Sequence, residues 1–384
     1  MKYLLSVKNR TQLLALAVLL SLSSCVNTES NAQDPENENS KKIKIALLLD
    51  TSNSMDGLIE QAKSQLWELV NELAKAECDG ALPVLEIALY EYGNDNLSQR
   101  EGYIRQVTPL TNDLDQISED LFKLTTHGGS EFCGQVIQTA INQQTWSSSE
   151  NDLQIIFIAG NEPFTQGNVS YKQACTNARE KGIIVNTIHC GSFDEGIQGM
   201  WKDGADLANG EYMCIEQDRK TVFIASPYDD RISALNKELN ETYVGYGSLG
   251  KSKKQAQVMQ DNNAQSYSKA NYVKRAVSKS SHFYENSTWD LVDASKKKDF
   301  KVDEIKESEL PEELKGKSTL EKEAFIKAKA QERERIQKDI QTLNKKRMEY
   351  VAEKQKEAGE ESMLDKAMIG AIKKQAAEKE FKFK

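Results

Sequence analysis

The sequence of 384 residues lacks the residue patterns of the common metal-binding and nucleotide-binding folds. Its six cysteines form no CxxC pair, which excludes a zinc site built on two such pairs. No P-loop or Rossmann glycine fingerprint is present, which argues against a nucleotide-dependent enzyme. The formal net charge of −9 lacks the basic excess of a nucleic-acid-binding surface. The composition therefore indicates a charge-rich globular protein with no nucleic-acid partner.

Catalytic motifs are also missing. The three histidines, His127, His189 and His282, lie in no HExxH pair and near no GxSxG turn. His189 adjoins Cys190 on a predicted strand, where neighbouring side chains point to opposite faces, so the two do not form a nucleophile pair. We therefore expect that the protein is not an enzyme.

The first 25 residues have the layout of a secretory signal peptide. Basic residues precede the apolar run Leu13-Leu-Ala-Leu-Ala-Val-Leu-Leu20, which is too short to span a bilayer. Leu22-Ser-Ser-Cys25 resembles a bacterial lipobox, which implies a lipid anchor on Cys25 in place of a cleaved signal with an incidental cysteine. We expect a lipoprotein of the bacterial cell envelope, anchored to the outer rather than the inner membrane, with its domain outside the cytoplasm.

Residues 26–42 are polar and cannot bury enough apolar surface to offset the entropy of ordering, so they are predicted to form a flexible tether. The next run, Ile43-Lys-Ile-Ala-Leu-Leu-Leu49, is typical of a strand covered on both faces. Predicted strands and amphipathic helices then alternate up to Ile215. This order predicts an α/β fold over residues 42–220, with a doubly wound and mostly parallel sheet.

Three oxygen-bearing side chains follow the first predicted strand: Asp50, Ser52 and Ser54. Ligands bind at the carboxyl ends of strands in such sheets, and hard oxygens suit Mg²⁺, with Mn²⁺ or Ca²⁺ as alternatives. The competing interpretation is a helix N-cap, since Asp, Ser and Asn all cap helices. Capping explains one such residue and not three at alternating positions.

The segment Leu49-Asp50-Thr-Ser52-Asn-Ser54-Met55 resembles the first motif of the von Willebrand factor A (VWA) family, and the resemblance extends over residues 42–215. It implies a metal-ion-dependent adhesion site and a protein partner whose acidic side chain completes the coordination of the ion. The family's second element is a Thr in a glycine-containing loop. Ser130 matches that position here, and Glu131 beside it could supply a carboxylate; the alternative is that Ser130 caps a helix.

The third element departs from the family. The resemblance places an Asp at the end of the fourth strand, in a pattern like TDGEP, whereas this chain has Gly160-Asn161-Glu162-Pro163. The site loses a charge, for which Asn161, Glu162 or Glu131 could compensate. The alternative is a degenerate site that binds no metal.

Five cysteines follow Cys25. Cys133 and Cys175 lie on predicted neighbouring helices, and Cys190 and Cys214 on predicted adjacent strands, so either pair could form a disulfide. Buried free thiols are the alternative, and the odd number leaves one thiol unpaired in any case.

Residues 221–384 are predicted to be helical and charged. A capping box at Ser318–Glu321 starts a long helix with a narrow apolar seam, formed by Phe325, Ile336, Ile340, Leu343 and Tyr350. This helix could pack on the domain, pair with a partner or fray, and Lys373–Lys384 are predicted to fray. Two functions remain: a membrane-anchored VWA module that binds a protein through a cation, or a scaffold whose C-terminal helices bind the partner.

Overall fold

A six-stranded sheet forms the centre of the fold. The computed structural model describes residues 40–78, 80–216, 224–358 and 364–383, so the predicted signal peptide and Cys25 lie outside the described residues. The strands are β1 (Lys42–Asp50), β2 (Ala76–Glu77), β3 (Val84–Tyr92), β4 (Ile104–Thr111), β5 (Leu153–Gly160), β6 (Ile184–Cys190), β7 (Tyr212–Ile215) and β8 (Lys382–Phe383). The helices are α1 (Asp56–Leu73), α2 (Leu114–Lys123), α3 (Cys133–Gln143), α4 (Tyr171–Glu180), α5 (Phe193–Gln198), α6 (Trp201–Leu207), α7 (Asp229–Asn240), α8 (Gly250–Tyr267), α9 (Lys269–Lys279), α10 (Leu291–Ala294), α11 (Thr319–Ala358) and α12 (Leu364–Glu378). None of the described helices is long and apolar enough to cross a membrane.

The strand order of the main sheet is β4-β3-β1-β5-β6-β7. All neighbouring strands are parallel except β4, which pairs antiparallel with β3 at the edge. The predicted α/β class with a mostly parallel sheet is confirmed. Since the parallel strands all run the same way, their carboxyl ends meet at one edge of the sheet, which is where such folds bind ligands.

Both faces of the sheet are covered, as the apolar run of β1 predicted. Ile45 and Leu47 of β1 belong to alternate faces from Ala46 and Leu48, and all four are buried. One face packs on α1, α2 and helices from the C-terminal half of the chain. The other face packs on α3, α4 and Trp201 of α6.

The C-terminal helices share the core of the sheet domain. In the apolar seam of α11, Ile336 and Ile340 are fully buried and Leu343 packs against the same cluster. This cluster also contains residues of α1, α7 and α9. Of the three arrangements open to the long helix, packing on the domain is therefore the one observed.

Buried cations hold these helices in place. Arg275 of α9 is fully buried, forms ion pairs with Asp115 of α2 and Asp261 of α8, and lies over the ring of Trp67. Lys279 of α9 is also fully buried and pairs with Asp261. Burial opposes ionisation of Asp261, but the two cations outweigh it and hold the pKa of that carboxyl at about 2.

Arg333 plays the same part in α11. Its guanidinium donates to Asp290 at 2.7 Å and to Asp293 at 3.0 Å, and also to the backbone carbonyl of Thr242. It lies 3.9 Å from the ring centroid of Tyr243. Such a cation is expensive to bury alone, so the segments that carry its partners and α11 depend on one another.

The predicted fraying of Lys373–Lys384 is wrong for the part of this segment that the structure describes. Gln375 of α12 exchanges two side-chain hydrogen bonds with the buried Asn186 of β6. Ala376 and Phe381 are buried, and β8 pairs with β2. The small residues of α12 allow close packing against α1, which a search for a large apolar stripe overlooks.

None of the five cysteines in the described ranges forms a disulfide, in agreement with the free-thiol alternative. Helices α3 and α4, which carry Cys133 and Cys175, are neighbours as expected. In the β6–β7 register, Cys214 lies opposite His189 instead of Cys190. The side chains of Cys190 and Cys214 therefore point to opposite faces of the sheet and do not form a disulfide.

We predict that Arg333→Ala lowers the free energy of unfolding by about 3–5 kcal/mol, because two buried carboxylates lose their cation. Urea unfolding of the purified chain measures this loss. The matched control is Arg335→Ala on the same helix, whose exposed ion pair with Asp339 contributes about 0.5 kcal/mol or less. Equal losses for the two variants would contradict a structural role for the buried network.

Candidate functional site

Several loops converge at the carboxyl edge of the sheet. The Asp50 loop follows β1, and backbone hydrogen bonds join Thr51 to Tyr92 at the end of β3 (N···O 2.8 Å) and to His127 (O···N 2.9 Å). Parallel pairing places the end of β5 on the other side of β1. Side chains from these loops form a candidate cation site, which we define as Asp50, Ser52, Ser54, Glu131 and Asn161.

Asp50 is the last residue of β1 and is fully buried. Its Oδ1 accepts a hydrogen bond from the backbone N–H of Ser52 at 2.7 Å. Its Oδ2 is buried and has no hydrogen-bond partner. Burying a carboxylate oxygen without a partner costs free energy of folding. This atom is therefore expected to bind a proton or a cation.

Glu131 supplies the second carboxylate. It is 3 % exposed, although it lies in the loop before α3. Its carboxyl group faces the side chains of Asp50 and Ser52, and its Oε2 also lacks a hydrogen-bond partner. Within the described ranges, no lysine, arginine or histidine forms an ion pair with Asp50 or Glu131.

The two carboxyl groups affect each other's ionisation. Burial raises the pKa of Asp50 well above its usual range, and the neighbouring Glu131 raises it further. Burial also raises the pKa of Glu131. Both groups can ionise together only if a cation lies between or beside them, and a divalent ion balances both charges.

Hydroxyl and amide oxygens complete the site. Ser52 Oγ lies 3.2 Å from Ser54 Oγ, and Asn161 Nδ2 donates to Ser54 Oγ at 3.2 Å. The capping interpretation of this loop is not supported, because the N-cap of α1 is Met55 and no side chain caps that helix. The hydroxyls of this loop therefore lie at the carboxyl edge and cap no helix.

Ser130 is half-buried and directly precedes Glu131. The alternative that Ser130 caps α3 is wrong, since that helix begins at Cys133 with Phe132 as its N-cap. In the part of the chain that the structure describes, no hydrogen bond joins the Ser130 side chain to the Asp50 loop. The nearby Thr126 hydroxyl donates to Asp56 in the first turn of α1.

The structure explains why a glycine, Gly160, stands where the resemblance places an aspartate. A Cβ at this position would lie 2.5 Å from the hydroxyl of Tyr92 and 3.0 Å from Asp50 Oδ2. The Tyr92 hydroxyl donates to the carbonyl of Ala159 at 3.0 Å, which holds the ring there. Tyr92 therefore occupies the space of a β5 side chain, and the second carboxylate comes from Glu131 instead.

Tyr92 and Gly93 are site residues that the sequence analysis missed. Gly93 has φ +78°, and a Cβ there would lie 2.7 Å from both Asp50 Oδ1 and Glu131 Cγ. A glycine at this position lets the two carboxyl groups approach the backbone closely. The available signal was position, since Tyr92 is the last residue of β3, the strand beside β1, and Gly93 directly follows it.

The donor set fits a hard divalent cation. Two carboxylates, two hydroxyls and an amide oxygen are ligands of the kind that Mg²⁺, Mn²⁺ or Ca²⁺ prefers. No cluster of three or more His, Cys, Asp or Glu that could hold a metal occurs among the described residues. A metal site here would thus depend on the serine hydroxyls as well as on the two carboxylates.

Comparison with known proteins matches the von Willebrand factor type A domain model to residues 44–237. Similar solved structures include the conserved hypothetical protein BatB from Bacteroides thetaiotaomicron, at 19% identity over 45% of this chain and 90% of that one, with a TM-score of 0.34. An aerotolerance-related membrane protein from Bacteroides fragilis is 17% identical over 46% and 93% of the chains, with a TM-score of 0.32. Proximal thread matrix protein 1 from the mussel byssus, with a zinc-occupied MIDAS motif, is 14% identical over 47% of this chain and 43% of that one, with a TM-score of 0.37. No curated protein matches the chain.

We predict that Gly160→Ala destabilises the protein by about 1–3 kcal/mol, because the added methyl group overpacks against Tyr92 and Asp50. In a Tyr92→Phe background the same change should cost less, since the hydroxyl at 2.5 Å is gone. A double-mutant cycle in urea unfolding measures this coupling. Additive losses would contradict the account of Gly160.

Proposed function

Because the chain belongs to the von Willebrand factor type A domain family, we propose that it is a protein-binding module that holds its partner through a divalent cation. The cation would lie at the candidate cation site. A metal ion with an open coordination position attracts a carboxylate oxygen, so an aspartate or glutamate of the partner would complete the coordination. We also propose that the protein is not an enzyme.

One observation carries this proposal: two buried carboxyl groups face each other, and each has an oxygen with no hydrogen-bond partner. A purely structural site would pair such oxygens with a donor or a buried cation. Here Asp50 and Glu131 would hold the ion by their carboxylates. Ser52 and Ser54 would add hydroxyl oxygens, and Asn161, which directly follows β5, would donate a hydrogen bond to Ser54.

Mg²⁺ is the proposed ion, and Mn²⁺ and Ca²⁺ are the alternatives. Oxygen donors suit all three, while Zn²⁺ prefers histidine nitrogen or cysteine sulfur. Replacement of the expected β5 aspartate by Gly160 does not lower the carboxylate count of the site, because Glu131 lies beside Asp50. The charge lost at one position is thus restored from another loop.

The scaffold alternative receives less support. It places partner binding on the C-terminal helices, yet the apolar seam of α11 is not open to a partner, because Ile336 and Ile340 are covered by the protein's own core. Arg333 is likewise committed to Asp290 and Asp293. Deletion of residues 296–384 would also expose that core, so point substitutions test the two functions better than truncation.

We also propose that a lipid on Cys25 anchors the protein to a membrane of the bacterial envelope, the outer membrane rather than the inner. The support is the order of basic residues, short apolar run and Leu22-Ser-Ser-Cys25 box. Such an anchor would hold the binding module outside the cytoplasm.

We predict that Mg²⁺ raises the melting temperature of the metal-free protein, because an ion that binds only the folded state stabilises it. At 100 times its Kd the gain is about 2.7 kcal/mol. Thermal melts after EDTA treatment, with added Mg²⁺, Mn²⁺, Ca²⁺ or Zn²⁺, measure the gain for each ion. Asp50→Asn and Glu131→Gln should each abolish it without destabilising the metal-free protein, since each relieves the repulsion between the two buried carboxyl groups.

The matched control for these melts is Asp206→Asn, which removes an exposed carboxylate from the surface of α6. This variant should respond to Mg²⁺ as the parent does. If no ion shifts the melting temperature of the parent, or if Asp50→Asn retains the shift, the cation-dependent function is wrong.

We predict that Cys25→Ala removes the lipid. Cells grown with an alkyne-bearing palmitate should label the parent protein and not the variant, and Triton X-114 extraction should move the variant from the detergent phase to the aqueous phase. Ser24→Ala keeps a small residue before the cysteine and serves as the control. Labelling of the Cys25→Ala protein would rule out the proposed anchor.

A further inference from the structure

Thr51 lies between two of the proposed ligands in the Asp50 loop and is fully buried. Its backbone N–H donates to the carbonyl of Tyr92 at 2.8 Å, and its carbonyl accepts from the N–H of His127 at 2.9 Å. Its hydroxyl lies 3.3 Å from both Glu91 Oε2 and the Tyr92 carbonyl. Neighbouring residues therefore fix the backbone and the side chain of Thr51 together.

The position of Thr51 couples the two loops that carry the buried carboxyl groups. Thr51 directly follows Asp50, and its partner His127 lies in the loop that leads to Glu131. The backbone N–H of Ser52, the next residue, donates to Asp50 Oδ1 at 2.7 Å. A shift of Thr51 would thus change the orientation of the Asp50 carboxylate and its distance from Glu131, so the shape of the candidate cation site depends on where Thr51 is held.

Glu91 is a buried acid at the end of an otherwise apolar strand face. Ile87 and Leu89 precede it on the same face of β3, and both belong to the core. Glu91 is 2 % exposed; its Oε1 pairs with Arg105 of β4 at 2.5 Å, while its Oε2 faces the Thr51 hydroxyl. An apolar side chain would extend the core without the cost of desolvating a charge, so stability alone does not account for a carboxylate here.

Two register shifts between β3 and β4 bring Arg105 opposite Glu91. Ile87 pairs with Thr111 and Glu91 with Arg105, so four steps along β3 correspond to six along β4. A regular antiparallel ladder would place Val107 opposite Glu91 instead. Irregularities of this kind redirect side chains and are over-represented beside functional sites. The distortion of β4 therefore places a guanidinium beside Glu91 at the point where β3 meets the Asp50 loop.

We propose that Glu91 and Arg105 are positioning residues of the candidate cation site, an inference that rests on the proposed function. Neither is a ligand of the ion, because Glu91 lies on the opposite face of β3 from Tyr92, whose hydroxyl adjoins the site. Arg105 fixes Glu91, and Glu91 in turn holds Thr51. Thr51 then sets the geometry of the two loops that carry the carboxyl groups. Residues that orient metal ligands in this way contribute roughly 10- to 100-fold to metal affinity.

The affinity of the chain for Mn²⁺ alone tests this proposal. Electron paramagnetic resonance measures the free ion during titration of the full chain carrying Cys25→Ala, at a temperature where every variant is folded. Thr51→Val keeps the Glu91–Arg105 ion pair and removes the hydroxyl that faces it. Glu91→Leu with Arg105→Leu removes the ion pair and extends the apolar face of β3. Thr51→Val and the double variant should each weaken Mn²⁺ binding roughly tenfold or more.

Two further variants separate positioning from stability. Glu91→Gln loses the charge but keeps an oxygen that can accept from Thr51, so its Mn²⁺ affinity should stay close to that of the parent. Thr108→Val is the matched control, because it removes another buried hydroxyl of this sheet, which donates to Asp120 at 2.8 Å. It should lower the melting temperature of the metal-free protein as Thr51→Val does, yet leave the Mn²⁺ affinity unchanged.

The outcomes distinguish this inference from the proposed function. If the parent binds no Mn²⁺, both are overturned. If the parent binds Mn²⁺ and Thr51→Val and the double variant bind it equally well, the positioning role is wrong and the proposed function stands. An equal loss of affinity in Thr108→Val would assign the effect to general destabilisation. A loss confined to the variants without the Glu91 charge, with Thr51→Val unaffected, would assign it to charge. Either result would overturn the positioning role.

Discussion

One interaction governs the carboxyl edge of the sheet: two buried carboxyl groups, Asp50 and Glu131, face each other, and no lysine, arginine or histidine of the described chain pairs with them. Two glycines leave space beside this pair. The absence of a side chain at Gly93 leaves space for both carboxyl groups, and its absence at Gly160 leaves space for the Tyr92 hydroxyl. Like charges in such a place repel unless a proton or a cation balances them.

Elsewhere in the described chain, several buried acids that stabilise the fold are paired with basic side chains. Asp261 is paired with Arg275 and Lys279, and Asp290 with Arg333. These pairs lie where C-terminal helices pack against the domain, and they tie those helices into the core that supports the carboxyl edge of the sheet. Among these buried acids of the described chain, Asp50 and Glu131 are the pair without a lysine or arginine partner, which distinguishes this site from the structural ones.

Much of the fold follows from the sequence, because the apolar run of β1 and the alternation of strands and helices depend on local spacing. The Asp50 loop was predictable from its place after a buried strand. The role of Tyr92 was not, since its hydroxyl reaches Gly160 only through the pairing of β3, β1 and β5. The end of the chain was also mispredicted: Gln375 is ordered by Asn186, a partner 189 residues earlier, which no local pattern reveals.

The most direct measurement of the central claim is a crystal structure of the chain grown in Mn²⁺, with anomalous diffraction to locate the ion. The account predicts a single strong anomalous peak beside Asp50 and Glu131, within coordination distance of both carboxylates and of at least one serine hydroxyl of the loop. An absence of density there, with the two carboxyl groups in direct contact through a shared proton, would contradict it.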